Sequence, residues 1–237
     1  MTLIGTIFLI ASTTSADPQI SDVFQKNFKD ASFGGTIEQV NQSELVKIKK
    51  DFGNNYRVKD TKVQLKEPHM LRFQAKVQDT DVLYIINGTR RLAKIPRAGI
   101  NSKDNFDRAP GKRQTLLDFG ILTASMFEDP FSAKYVRTDR QNGDYVFDLT
   151  FKTSYNDTSR HRVWVDPEKK FTTKREWYGQ NGRFLATFLY EEPVSQNGVW
   201  FPTKISVKNV EGKLGGVTKY KNVVINAGIP SSTFEIK

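Results

Sequence analysis

Apolar and polar residues alternate along several stretches of the chain. The clearest case is residues 71–78, where every second side chain is apolar and the others are charged or amide groups. A period of two is that of a strand with one buried face and one solvated face. Residues 82–86, an apolar run, and residues 89–95 predict two further strands, and Asn87-Gly88 between them is a strong hairpin signal. The sequence therefore predicts an antiparallel meander with one apolar face.

Short alternating runs also occupy most of the chain from Ala133 to its end. Turn residues such as Asn142-Gly143 and Asn181-Gly182 separate them, and residues 36–51 and 56–65 predict two earlier strands. This spacing is typical of an antiparallel barrel or sandwich and not of βαβ units. No internal repeat or linker divides the chain, so we expect a single domain.

Two stretches have a pattern other than that of strands. Residues 17–31 carry apolar side chains at helical spacing behind Asp17, which predicts an amphipathic helix. Residues 114–127 are apolar on more than one side and predict a helix of about three to four turns that ends before Pro130. Residues 97–112 are polar and predict a loop.

The first residues have the pattern of a secretory leader. Residues 3–11 form an apolar run that is too short to span a bilayer, and small residues follow as far as Ala16. This predicts a signal peptide over residues 1–16 and a mature domain over residues 17–237. No Lys or Arg precedes the apolar run. A short buried N-terminal element is therefore the alternative interpretation.

Composition narrows the classes of function. The chain has 237 residues, a formal net charge of +10 and no Cys. The lack of Cys excludes disulfides, thiolate catalysis and cysteine metal sites. Positive charge attracts anionic partners such as lipid headgroups or nucleic acid. The Lys and Arg residues mostly alternate with apolar residues instead of forming runs, however, so solubility alone explains them as well.

Catalytic and metal-binding patterns are sparse. The two histidines, His69 and His161, have no Ser, Asp or Glu at motif spacing, and no phosphate loop or dinucleotide fingerprint occurs. The pair Glu191-Glu192 precedes Pro193 and is interpreted as a solvated turn. We therefore predict no enzyme activity, no cofactor and no metal site.

Nucleic-acid binding is a competing interpretation of a basic β protein. It requires exposed aromatic residues among Lys and Arg on one sheet face. Trp164 and Trp177 lie nearest to that pattern. The secretory leader argues against it, and we expect no nucleic-acid partner.

A series of short motifs occurs in a fixed order along most of the mature chain. They are Pro68 with Arg72-Phe73, Asn87-Gly88-Thr89, Val163-Trp164-Val165-Asp166-Pro167, Lys174-Arg175-Glu176, Asn181-Gly182, Gly198-Val199-Trp200-Phe201-Pro202 and Tyr220-Lys221-Asn222-Val223-Val224-Ile225-Asn226, with Phe234 near the end. In this order they resemble the LolA-like family of outer-membrane lipoprotein-sorting proteins. The resemblance identifies no basic residue that holds a lid.

The resemblance implies a mainly β fold (α+β), an incomplete and strongly curved antiparallel β-barrel wrapped around a helical plug or lid. It implies a periplasmic carrier, without catalysis, that binds acyl chains in a hydrophobic cavity and shuttles them toward the outer membrane. The expected partners are lipoprotein acyl chains or phospholipid and a membrane-bound donor or acceptor protein, and the chain is expected to be a monomer. The alternatives are an RseB-like periplasmic sensor of lipid, lipoprotein or envelope stress that acts through a protein partner, and a structural lipid-binding protein without a transport role.

Alternation within the predicted strands assigns the side chains that face such a cavity. The predicted cavity residues are Leu71, Phe73, Ala75, Tyr145, Phe147, Leu149, Val163, Val165, Phe184 and Phe188. The predicted lid residues are Leu116, Leu117, Phe119, Leu122, Met126 and Phe127. Gly120 in their midst weakens a helix by about 1 kcal/mol relative to Ala, which suits a lid that moves. An ordinary buried helix and an ordinary core are the alternatives.

Overall fold

The computed structural model describes residues 16–77 and 79–237. Their strands form one antiparallel sheet of 13 strands. The strands are β1 (Asp30–Val40), β2 (Lys59–Lys66), β3 (Met70–Val77), β4 (Thr80–Asn87), β5 (Arg90–Ile95), β6 (Ile100–Asn105), β7 (Phe131–Thr138), β8 (Tyr145–Phe151), β9 (Arg160–Val165), β10 (Thr172–Tyr178), β11 (Phe184–Gln196), β12 (Val199–Lys208) and β13 (Leu214–Ile225). Apart from Ala16, the predicted signal peptide of residues 1–16 lies outside the described residues.

Neighbouring strands in the sheet are also neighbours in sequence, with one exception. The order is β6-β5-β4-β3-β2-β1-β13-β12-β11-β10-β9-β8-β7, so the pair of β1 and β13 joins two meanders. Strands β6 and β7 lie at opposite edges, and the curved sheet stays open. The prediction of a mainly β, incomplete antiparallel barrel is therefore confirmed.

The predicted meander is confirmed in its register. In β3 and β4, Leu71 pairs with Ile86. In β4 and β5, Asn87 pairs with Arg90, so the two loop residues are Gly88 and Thr89, one position later than the predicted Asn87-Gly88. Gly88 has a φ of 61°, the left-handed conformation that a two-residue hairpin loop demands of its glycine.

Two predictions near the N-terminus are wrong. Residues 17–31 form no long helix, because only a 3₁₀ turn over Ile20–Val23 is present and β1 already begins at Asp30. Pairing of Ala31 with both Leu65 and Ile225 draws this part of the chain into the sheet. The strand predicted over residues 36–51 ends at Val40, and helix α1 (Gln42–Leu45) follows.

Two further predictions, both about polar stretches of the chain, are wrong. The polar loop predicted over residues 97–112 contains β6, which pairs with β5 at the sheet edge. Edge strands carry polar and charged side chains, so β6 lacks an alternating apolar signal. The pair Glu191-Glu192 does not form a turn but lies inside β11, where Lys204 Nζ is 3.5 and 3.7 Å from the two carboxylates.

Most buried apolar side chains lie on one side of the sheet, which we name the inner face. Its larger cluster joins both meanders, with Phe33, Val63 and Phe147 among its members. The opposite outer face carries a smaller cluster in which Ile85 and Leu92 pack against the C-terminal residues Ile229 and Phe234. Among the described residues, no helix is both long enough and apolar enough to cross a bilayer. What covers the inner face is therefore the question for function.

Candidate functional site

Residues 114–129, which we name the plug segment, cover the centre of the inner face. Its side chains Leu117, Ile121, Leu122 and Met126 are at most 1% exposed. The helix of three to four turns predicted here is wrong. The segment instead contains a 3₁₀ turn over Leu116–Phe119 and helix α2 (Ser125–Glu128), with irregular backbone between them.

Local chemistry explains this shape. The side chains of Thr115 and Asp118 form a reciprocal capping box that starts the 3₁₀ turn. Gly120 ends the turn with a φ of 78°. A left-handed residue cannot continue a right-handed helix, so the chain leaves the helical path after one turn.

The six predicted lid residues come together in one place. Leu116, Leu117, Leu122 and Met126 belong to the buried inner-face cluster, and Phe119 and Phe127 pack against its edge. The Phe119 ring lies 5.7 Å from Phe33, and the Phe127 ring stacks on Phe24 at 5.1 Å. The sequence thus located the segment that covers the sheet, while its role as a lid stays a prediction.

Most predicted cavity residues also face the plug segment. Leu71, Phe147, Leu149, Val163 and Val165 are buried in the same cluster, with Phe73 and Tyr145 packed against it. Ala75 is buried on β3. Phe188 belongs to a second inner-face cluster, and Phe184 packs on Tyr178 at 5.5 Å and joins neither cluster. Irregular pairing between Trp177 and Tyr178 disturbs the alternation from which Phe184 was assigned.

A buried arginine ties the plug segment to the sheet, and sequence reasoning missed it. Arg175 on β10 donates from Nη1 to Asp118 Oδ1 at 2.8 Å, and its side chain is 6% exposed. Burial opposes the charge, but Tyr190 and Asp118 outweigh it and raise the pKa of Arg175. Tyr190 also donates its hydroxyl hydrogen to the Leu117 carbonyl at 3.0 Å.

The two ends of the plug segment are held together by a second group of polar contacts. Arg113 Nη2 lies 3.1 Å from Asp129 Oδ2, and the Tyr155 hydroxyl donates to the other oxygen of Asp129. Burial would raise the pKa of Asp129, but the hydrogen bonds from Tyr155 and Arg113 prevail and hold it below its ordinary value. The carboxylate therefore stays charged and holds the two ends of the plug segment together.

Residues 41–56, which we name the second cover, occupy the inner face beside the plug segment. Leu45 and Ile48 are buried there, with Phe52 and Tyr56 packed against the same cluster. Gly215 and Gly216 on β13 make room for it. A Cβ on Gly215 would lie 2.7 Å from Leu45 Cδ2, and one on Gly216 would overlap the Tyr56 ring. Glycines inside a strand mark such close approach, and this was the one sequence signal for the second cover.

Little space remains where the plug segment meets β2 and β3. The opening there, lined by Leu65, His69, Leu71 and Leu116 among others, measures about 10 Å³, roughly enough for one water molecule. In this conformation the plug segment itself occupies the centre of the apolar inner face, so the predicted cavity stays a prediction. Access to that surface therefore requires the segment to move.

Comparison with known proteins assigns the family and the fold. Residues 61–237 match a family model described as "Uncharacterized protein". The chain belongs to that family. Its fold is that of the LolA superfamily, as the order of motifs predicted. No curated protein matches the chain.

Three solved structures share this LolA-like fold at low identity. The outer membrane lipoprotein-sorting protein domain from Vibrio parahaemolyticus is 11% identical with a TM-score of 0.61, and the alignment covers 91% of this chain and 93% of that one. A DUF1329 family protein from Desulfovibrio piger is 12% identical with a TM-score of 0.56, at 91% and 92% coverage. A LolA superfamily protein from Nitrosomonas europaea is 15% identical with a TM-score of 0.55, at 92% and 94% coverage.

Within the described residues, no group of three or more histidine or acidic side chains is placed to hold a metal ion. The features of the site are instead an apolar face, two covering segments and a few charged contacts that hold one of them.

A buried histidine on the inner face is expected to make the protein less stable at acid pH. His161 on β9 pairs with Leu149 and Trp177, so its ring points to the inner face, and its Nδ1 atom is buried without a hydrogen-bond partner among the described residues. Burial, and secondly the charge of Arg175, lower the pKa of His161 well below 6.5. Below that pH the unfolded chain takes up a proton that the folded chain does not.

We expect the free energy of unfolding to fall as the pH drops below 6.5, by up to about 1.4 kcal/mol per pH unit for His161. Urea unfolding between pH 7 and pH 5 measures this slope. His161→Leu should lose most of it. His69→Asn should lose a smaller part, because the pKa of His69 is lowered less. An unchanged slope in His161→Leu would contradict the assignment.

Proposed function

We propose that this chain is an exported, monomeric, periplasmic protein that binds acyl chains of lipoproteins or other lipids in one domain of residues 17–237 and carries them toward the outer membrane. The acyl chain lies on the inner face, in the place that the plug segment occupies here. The solved neighbour that is an outer membrane lipoprotein-sorting protein domain supports this assignment through its fold.

One observation carries the proposal: the apolar inner face is covered by a segment with little regular structure of its own. Between its 3₁₀ turn and α2, the plug segment is joined to other parts of the chain by two backbone hydrogen bonds, from Thr172 N to Gly120 O at 2.9 Å and from Gln25 N to Leu122 O at 2.9 Å. Segments with few backbone hydrogen bonds open at lower free energy than core strands.

The free energy gained by burying the plug segment on the inner face is similar in size to that gained by burying an acyl chain there. Burial of a side chain such as Leu117 or Ile121 contributes roughly 1.5–3 kcal/mol, so the segment does not leave an empty face. An acyl chain contributes about 0.8 kcal/mol for each buried CH₂ and takes over the same surface. Opening is therefore coupled to the arrival of a lipid, and closing is coupled to its release.

The proposal is tested by what the protein carries. Native chain purified from the exporting cell, extracted and analysed by mass spectrometry, should release fatty-acyl species in near-stoichiometric amount. Lipid-free chain incubated with phosphatidylethanolamine vesicles and re-isolated by gel filtration should contain lipid as well. Protein that releases no acyl species and takes up none from vesicles would refute the proposal.

Two substitutions make the test specific for the plug segment. Asp118→Asn weakens the contact with Arg175 and should accelerate lipid uptake several-fold. Asp148→Asn is the matched control, because Asp148 is also paired with an arginine, at 2.7 Å from Arg162, but alternates with the inward-facing Phe147 and Leu149 and so lies on the outer face. Equal uptake rates in both variants would contradict a gate at residues 114–129.

Delivery to acceptor vesicles separates a carrier from a sensor. Lipid-loaded chain should transfer its cargo to fresh vesicles. A chain that binds lipid and never transfers it would instead fit the RseB-like sensor or the structural alternative.

A further inference from the structure

A polar pocket of about 350 Å³ opens at the rim of the inner face. We name it the rim pocket. Two of its walls are formed by residues 108–112 and by residues 155–159, and a third by the turn after β10. Lys49 of the second cover also lines it. Its volume lies within the range of about 300–1,000 Å³ that small-molecule sites occupy.

The rim pocket has an excess of positive charge. Lys49, Arg108 and Lys112 line it together with one carboxylate, Asp157, so three cations face one anion. Asp157 Oδ1 already accepts hydrogen bonds from the backbone N of Ser159 at 2.9 Å and from its hydroxyl at 2.6 Å. These hydrogen bonds occupy one oxygen of Asp157 without removing its charge, so three cations against one anion leave an excess of two positive charges for an external anion.

An aromatic surface lies beside these cations. Trp177 lines the rim pocket, and Lys49 Nζ lies 4.2 Å from the centre of its ring. A tryptophan is apolar on its faces and donates one hydrogen bond at its edge, which suits a ligand with both an apolar and a polar part. The combination matches an anionic group attached to a less polar body.

The rim pocket is connected to the plug segment by direct contacts. Its wall residue Tyr155 donates a hydrogen bond to Asp129, which in turn pairs with Arg113, the residue after Lys112. Trp177 lies two residues after Arg175 on β10, which places both side chains on the inner side of that strand. A molecule in the rim pocket would thus contact Tyr155, one of the three residues that hold the ends of the plug segment together.

We propose that the rim pocket binds the phosphate group of a phosphate ester, with Arg108 and Lys112 as its counter-ions and Trp177 against the attached body. Where that ester is a phospholipid headgroup, the inference rests on the proposed function, and the acyl chains continue beneath the plug segment. A free phosphate ester offers the same anionic group without the chains.

Titration calorimetry with three ligands distinguishes a phospholipid headgroup from a free phosphate ester. The ligands are dihexanoyl-phosphatidylglycerol, glycerol 1-phosphate and the uncharged dihexanoylglycerol. The double variant Arg108→Glu/Lys112→Glu should bind the two phosphate ligands at least about tenfold more weakly than the wild type. Arg90→Glu/Lys103→Glu is the control with the same change in charge, at exposed positions of β5 and β6. It should stay within about twofold. Thermal melts of both variants verify folding.

The outcomes distinguish this inference from the proposed function. Wild-type affinity in Arg108→Glu/Lys112→Glu, or equal affinity for the phosphatidylglycerol and the dihexanoylglycerol, overturns the rim pocket while leaving acyl binding in place. Binding of glycerol 1-phosphate by a chain that takes up no acyl lipid supports the rim pocket and refutes the carrier. Loss of phosphate binding in the pocket variant with acyl uptake intact supports both.

Discussion

Replacement of Gly120 by alanine should destabilise the protein by about 2–5 kcal/mol. Gly120 has a φ of 78°, a conformation that costs a residue with a Cβ about 1–2 kcal/mol. Its new Cβ would also lie 2.9 Å from Tyr190 Cδ1 and 3.1 Å from Pro202 Cγ, closer than packed atoms approach. Overpacking of this kind costs about 1–3 kcal/mol. Urea unfolding measures the sum.

Gly182→Ala is the matched control for this prediction. Gly182 has a similar φ of 72°, but a Cβ there would meet no other heavy atom within 4 Å. Its substitution should therefore cost only the backbone component, about 1–2 kcal/mol. If the two variants lose the same stability, close packing of the plug segment against Tyr190 and Pro202 does not contribute. Faster amide exchange in residues 116–122 of Gly120→Ala would show where the strain is released.

The parts of the fold that the sequence predicted are those with a local cause. The β4–β5 hairpin follows from the Asn87-Gly88 signal between two predicted strands, although the loop itself is Gly88-Thr89. The same holds for β8, where Phe147 and Leu149 lie on either side of the polar Asp148 and are buried as predicted. Period and turn chemistry act within a few residues, so one sequence suffices to identify them.

The plug segment was located correctly and assigned the wrong conformation for a related reason. Its apolar residues point in several directions because the sheet surrounds them, and a buried helix gives the same composition. Gly120 distinguished the two possibilities, since a left-handed residue ends a helix, but its φ is not written in the sequence. The second cover was missed because Leu45 and Tyr56 fit against glycines that lie far away in sequence.

The ion pair of Arg175 and Asp118 could not be predicted from the sequence, because its two partners are also distant along the chain. The two residues are 57 positions apart, and neither belongs to a motif that requires the other. Only the curvature of the sheet brings β10 beneath the plug segment. Arg175 is nonetheless one of two buried cations that hold the segment, together with Arg113, because a guanidinium keeps its charge in the interior and requires a partner there.

Asp118→Ala should therefore destabilise the protein by about 2–3 kcal/mol. Removal of one member of a buried ion pair costs about 3–5 kcal/mol because the other charge is left uncompensated. The lower value applies here since Asp118 is 32% exposed although Arg175 is only 6% exposed. Urea unfolding measures the loss, and amide exchange should show that residues 116–122 lose protection first. Asp148→Ala, on the outer face, should cost no more than about 1 kcal/mol.

A double-mutant cycle decides whether the loss comes from the unpaired charge. Arg175→Met removes the cation but keeps an apolar chain against Phe188, whose ring centre lies 4.2 Å from the guanidinium carbon. Combined with Asp118→Ala, it should recover most of the lost stability, since two apolar groups replace a buried ion pair at little net cost. Additive losses would mean that each residue acts through packing alone. Recovery of stability without recovery of slow lipid uptake would identify the ion pair as the contact that keeps the inner face closed.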